Sequence, residues 1–160
     1  MSKIIDLQNM RLEADRLRRE GKRLVLPNGC FDILHVGHVM LIEQARALGD
    51  ALVVALNSDD SVRRLKGSSR PVVDQAARAR ILAALQDVDF VVIFDTLRAT
   101  PIITALPPDI FVKGGHYSLE TLDASEREAL QRLGTEIVFI PVVPQVSTSG
   151  ILRKVTESAG

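Results

Sequence analysis

A single cysteine, Cys30, leaves no internal disulfide to form, and no apolar run approaches the roughly 18 residues that cross a membrane. The first residues also lack the basic-then-apolar pattern of an export signal, so a reduced cytoplasm is the expected compartment and no membrane partner is expected. Net charge is missing too. Lys plus Arg and Asp plus Glu number 20 each, so no overall field gathers nucleic acid, and any anion site must be built locally. There is no repeat at a period of about 20 to 50 residues and no Gly/Ser/Pro-rich linker. What is present, 160 residues with 46% hydrophobic and 25% charged side chains, is the composition of one globular domain covering residues 1–160 that must hold its whole site.

Leu7, Met10, Ala14 and Leu17 recur at helical spacing up to Gly21, which predicts an amphipathic N-terminal helix within residues 1–21 packed on the domain. Five β-rich runs follow, at 23–26, 51–56, 89–94, 110–112 and 136–140, alternating with plausible helices. LVVAL and FVVIF are apolar without alternation, as strands covered on both faces must be, so the expectation is a parallel α/β sheet. Right-handed crossovers then place a ligand crevice at the carboxyl ends of the strands, where strand order reverses. The last residues, 157–160, are expected to fray.

Asn28-Gly29-Cys30-Phe31-Asp32-Ile33-Leu34-His35-Val36-Gly37-His38 runs from the first strand into a helix. Gly29 and Gly37 remove Cβ atoms where backbone must turn or approach a ligand, and a helix starting near Val36 offers free N–H groups to phosphate. His35 and His38, three apart, can point both rings at one anion, where fixed donors lower the barrier to attack on an α-phosphate. A partial zinc site or a pair of capping histidines would use the same residues, although no third zinc ligand is spaced to help. Asp32 orients a histidine or caps the helix, and for an isolated Asp a cap is the expectation.

Three further segments fall on the same predicted edge of the sheet. Arg63 to Pro71 is a basic loop with a Gly hinge that can close over polyphosphate, though alone it reads as a solvated loop. Lys113-Gly114-Gly115-His116-Tyr117 ends a strand, pairing a point charge with free backbone. Ser147-Thr148-Ser149, after Pro144, opens a helical run from Gly150 to Val155 and gathers hydroxyls at its start. Each is ambiguous alone, and their coincidence carries the inference.

The stretch Gly29 to His38 resembles the G-x-F-D-x-x-H-x-G-H signature of the cytidylyltransferase-like nucleotidyltransferase superfamily. With LIEQARALGD, LKGSSRP, VDFVVIF, PPDIFVKGGHY and STSGILRKV, the chain is similar over nearly its whole length to the heptose-1-phosphate adenylyltransferase family. It resembles the form of that family that stands apart from a sugar kinase domain. The resemblance implies a Rossmann-like α/β/α sandwich with a five-stranded parallel sheet. It also implies an enzyme that joins ATP, with Mg²⁺, to D-glycero-β-D-manno-heptose 1-phosphate, giving ADP-heptose and pyrophosphate for the lipopolysaccharide inner core. A homodimer is common among such relatives.

The resemblance makes His35, His38 and Lys66 the catalytic residues. Gly29, Cys30, Phe31, Gly37, Arg70 and Ser147 to Ser149 would hold the nucleotide, and Asp32, Lys113, Gly114 and Gly115 the substrate. Pro27 stands where the family commonly has Thr, and His116 where it commonly has Asp. Rival readings are a glycerol-3-phosphate cytidylyltransferase, a pantetheine-phosphate adenylyltransferase and a nucleotide-binding module without turnover.

Overall fold

The computed structural model describes residues 2–141 and 146–160. Among the described residues five strands and seven helices follow in the order α1 (Leu7–Arg19), β1 (Leu24–Gly29), α2 (Val36–Arg46), β2 (Ala51–Asn57), α3 (Asp59–Lys66) and α4 (Gln75–Ala84). Then come β3 (Phe90–Phe94), α5 (Thr100–Ala105), β4 (Ile110–Gly114), α6 (Ala124–Leu133), β5 (Glu136–Ile140) and α7 (Thr148–Ser158). All strand pairs are parallel, in the order β3-β2-β1-β4-β5. The Rossmann-like expectation holds.

Side chains leave a strand on alternate faces, and β2 shows why this sheet needs helices on both. Ala51, Val53 and Ala55 join a core with Met10, Ala14 and Leu17 of α1, Ile102 and Ile103 of α5 and Leu130 of α6. Leu52, Val54 and Leu56 join a second core with Ile42 and Ala45 of α2 and Ala79 and Leu82 of α4. Every residue of β2 is buried, which explains its unbroken apolar run.

Chain order reverses between β1 and β4, the two strands flanking the switch point, and their carboxyl ends frame the crevice. Pro27 lies buried inside β1 and cannot donate to a ladder. The pairing with β2 skips Leu26 and Pro27 and resumes at Asn28, while the register with β4 runs through both. At the far edge, Ile4 forms a parallel bridge to Val91, with Ile5 N–H donating to Val91 O and Val91 N–H to Lys3 O. No sequence signal pointed to this extra pairing.

Local chemistry sets the helix starts. Asp6, Ser58, Asp74, Asp123 and Ser147 each accept a backbone N–H from the first turn they precede. Several boundaries differ from expectation: β1 continues to Gly29 and β4 to Gly114, past the expected ends at 26 and 112, and two helices differ as well. The basic segment is not all loop, because Ser58 caps α3, acidic Asp59 and Asp60 sit at its start, and Arg63, Arg64 and Lys66 fill its last turn. Helix α7 starts at Thr148 and continues to Ser158. Pro144 lies outside the described residues.

Candidate active site

The end of β1 turns through a strained corner. Phe31 and Ile33 are non-glycine residues at φ of 46° and 50°, a left-handed conformation that costs about 1–3 kcal/mol each. Buried contacts hold the corner. The Phe31 ring is 5% exposed and fills the space over Gly29, where a Cβ would stand 3.1 Å from its edge. The Asp32 carbonyl accepts the buried Thr148 hydroxyl at 2.6 Å, joining the corner to the start of α7.

The corner delivers His35 as the N-cap of α2 and His38 to its third position. Gly37 N–H donates to His35 Nδ1 at 3.1 Å, and His35 N–H to His38 Nδ1 at 3.3 Å. The two histidines thus cap the helix they begin. With both Nδ1 atoms accepting, each neutral ring carries its proton on Nε2. The rings stack, 3.8 Å between centres and 23° apart, a contact that Gly37 permits because a Cβ there would meet His35 Cε1 at 2.9 Å.

Burial pushes both imidazoles below the ordinary histidine range, and His38 reaches about 4, with charge repulsion from His35 and Lys66 adding to burial. At neutral pH the pair is two uncharged N–H donors at the positive end of a helix.

Asp32 neither caps α2 nor orients a histidine. Its carboxylate is 1% exposed and accepts Val72 N–H, Val73 N–H and Arg70 Nε–H, the last at 2.7 Å. Burial alone would raise its pKa, but these donors hold it below the usual carboxylate range. Asp32 thus anchors the segment between α3 and α4 and borders the neck of the cleft, and Arg70 is already paired to it. Of the basic run, Arg63 pairs with Asp60 and Arg64 with Asp95. Lys66, the last residue of α3, lines the cleft.

Three groups complete the rim. Lys113, within β4, donates to Asn28 Oδ1 at 3.2 Å and lies 5.2 Å from the Tyr117 ring centre, while Gly114 and Gly115 form the wall beside it. At α7 the Ser147 hydroxyl caps Gly150 N–H and Thr148 is committed to Asp32. Ser149 is exposed at the same helix start. Cys30 lies at the β1 end, where burial pushes its thiol up against the pull of Lys66 and Arg78, keeping it protonated at neutral pH. His116 is exposed and lines none of the cavities here.

These residues surround one cleft with two lobes. A lobe of about 280 Å³ is lined by His35, His38, Lys66, Gly115 and Ser147 to Ser149, and one of about 520 Å³ by Asn28, Asn57, Lys66, Lys113, Tyr117 and Glu126. Between them a neck of about 130 Å³ touches Cys30, His38, Arg70 and Thr148. Lys66 and Gly114 line all three.

Sequence reading missed two residues that shape this cleft. Arg78 is 1% exposed and donates to the Cys30, Asn57 and Val73 carbonyls and to Asp59, clamping the ends of β1 and β2 to the loop before α4. Glu126 is 4% exposed behind Lys113. Each is one charge on an otherwise ordinary helix, with partners far off in sequence, so no local pattern marks it.

A family model described as cytidylyltransferase-like matches residues 26–154. The "Bifunctional protein HldE" of Desulfatibacillum aliphaticivorans is 42% identical over 159 residues, covering 99% of this chain and 32% of that protein. Its namesake from Koribacter versatilis is 50% identical over 139 residues, 87% of this chain and 28% of that protein. The chain thus spans about a third or less of the curated relatives it matches. The crystal structure of the lipopolysaccharide core biosynthesis protein from Thermoplasma volcanium GSS1 superposes at a TM-score of 0.62 with 27% identity, covering 77% of this chain and 98% of that one. The pantoate-beta-alanine ligase of Francisella tularensis, at a TM-score of 0.61 and 15% identity over 98% of this chain and 78% of that one, shares the fold. The signature from Gly29 to His38, seated at the switch point of the sheet, lies inside the matched span, and the chain belongs to the cytidylyltransferase-like family.

Proposed function

We propose that the protein is a cytoplasmic adenylyltransferase that transfers AMP from MgATP to D-glycero-β-D-manno-heptose 1-phosphate, releasing pyrophosphate and forming ADP-heptose. One observation carries the chemistry: two stacked, uncharged imidazoles with Nε2–H groups at a helix start, opening onto a two-lobed cleft with Lys66 where the lobes meet. The similarity to the HldE proteins and to the lipopolysaccharide core biosynthesis protein of Thermoplasma volcanium supports the acceptor.

The His/Ser lobe receives the triphosphate, and the Lys113 lobe receives the sugar phosphate. An acceptor phosphate oxygen attacks the α-phosphorus in line, and the bond to the bridging oxygen of pyrophosphate breaks. Charge growing on the α-phosphate meets the Nε2–H donors of His35 and His38, and Lys66 takes up charge on the departing pyrophosphate. Holding both substrates along one crevice supplies the rest of the rate through positioning.

Among the described residues no cluster of three or more His, Cys, Asp or Glu could hold a metal. Mg²⁺ would arrive bound to the triphosphate, the usual way this ion is carried. The test is pyrophosphate release from purified protein given ATP or CTP with heptose 1-phosphate, glycerol 3-phosphate or pantetheine phosphate. Release with ATP and heptose 1-phosphate alone is expected. Turnover confined to another pair would replace this reading.

A further inference from the structure

Glu126 is a buried carboxylate with no part in the steps above. One oxygen accepts Ala99 N–H at 2.8 Å, and the other faces Lys113 Nζ at 3.9 Å. Lys113 is its one cationic neighbour within ion-pair distance among the described residues. A buried carboxylate lowers stability unless its oxygens find partners, and here backbone satisfies one while the other remains turned to a lysine.

A lysine carries three donors on a flexible four-carbon stem and needs a frame to hold one direction. The frame here has three sides: Asn28 Oδ1 at 3.2 Å, the Tyr117 ring at 5.2 Å and the Glu126 carboxylate. At 3.9 Å Glu126 stands beyond the charge-assisted hydrogen-bond length of about 2.7–2.9 Å. Lys113 is steered without being used up, and its remaining N–H directions stay open to the lobe that all four side chains line.

We propose that Glu126 is a positioning residue that aims Lys113 at the phosphate of the acceptor. The inference rests on assigning the larger lobe to the acceptor. It implies that Glu126 acts on acceptor affinity through Lys113 and leaves the triphosphate lobe alone.

Glu126→Gln keeps an oxygen for Ala99 N–H and removes the charge. The measurement is an NMR titration with inorganic phosphate, following the Gly114 and Gly115 amides while α,β-methylene ATP fills the other lobe. Phosphate affinity is expected to fall about tenfold in Glu126→Gln and in Lys113→Ala, with the double variant no weaker than Lys113→Ala. In turnover, KM for the sugar phosphate rises while KM for ATP holds.

Unchanged phosphate affinity in Glu126→Gln, additive effects in the double variant, or no phosphate binding by the wild type would each overturn the proposal. If Glu126→Gln does not fold, Glu126→Asp, which draws the charge back by one methylene, must weaken phosphate binding in the same way. Loss of the expected reaction with the phosphate result intact would sink the proposed activity and leave the role of Glu126 standing.

Discussion

His35 and His38 each commit Nδ1 to a backbone N–H, which leaves the ring proton on Nε2. Removing a donor aimed at a transition state costs about 10²–10³-fold in rate. His38→Ala should therefore lower kcat by about that factor with the fold retained, read as pyrophosphate release beside circular dichroism. The protonation of His38 is a separate test. Its pKa in the folded chain, near 4, lies below the ordinary 6.5, so between these values the unfolded chain holds the extra proton. Stability from this residue is complete above about pH 6.5 and is lost as pH falls toward 4, on the order of 2 kcal/mol after solvent screening. A midpoint near 6.5 in the NMR titration of its Cε1–H would contradict the arrangement. The histidines were legible in sequence because a motif three residues apart on a helix start carries its own geometry. Asp32 was not, since its donors Val72 and Val73 lie about forty positions on.

The element most dependent on such distant contacts is the segment joining α3 to α4, held at Asp32 by Arg70, Val72 and Val73 and at Val73 by Arg78. Asp32→Asn leaves the Arg70 guanidinium, 11% exposed, without its counter-charge and should cost about 2–3 kcal/mol. For a chain of this size that lowers the melting temperature by roughly 5–10 °C, with earlier proteolytic cutting between Gly67 and Pro71. A melting curve that matches the wild type would show that the carboxylate does not hold this segment. Strands and caps were readable because apolar runs and Ser/Asp before a helix act locally. The end of α3 was misread because Arg63, Arg64 and Lys66 look like a loop until Ser58 and the acidic first turn are weighed with them.

Across the whole molecule, the unbroken apolar runs announced a sheet with two covered faces, and the crevice at its switch point followed from handedness. The order of the strands required pairing that periodicity does not encode, and so did the seam at Ile4. That seam pairs with the outer edge of β3 at Val91, in a strand whose sequence FVVIF is apolar, uncharged and rich in β-branched and aromatic side chains. Segments of this kind, once their edge is open, template the growth of fibrils. Solubility thus hangs on a few residues far from the chemistry. Deleting residues 2–5 should leave turnover nearly intact in fresh protein yet yield turbidity and thioflavin-positive aggregates on standing.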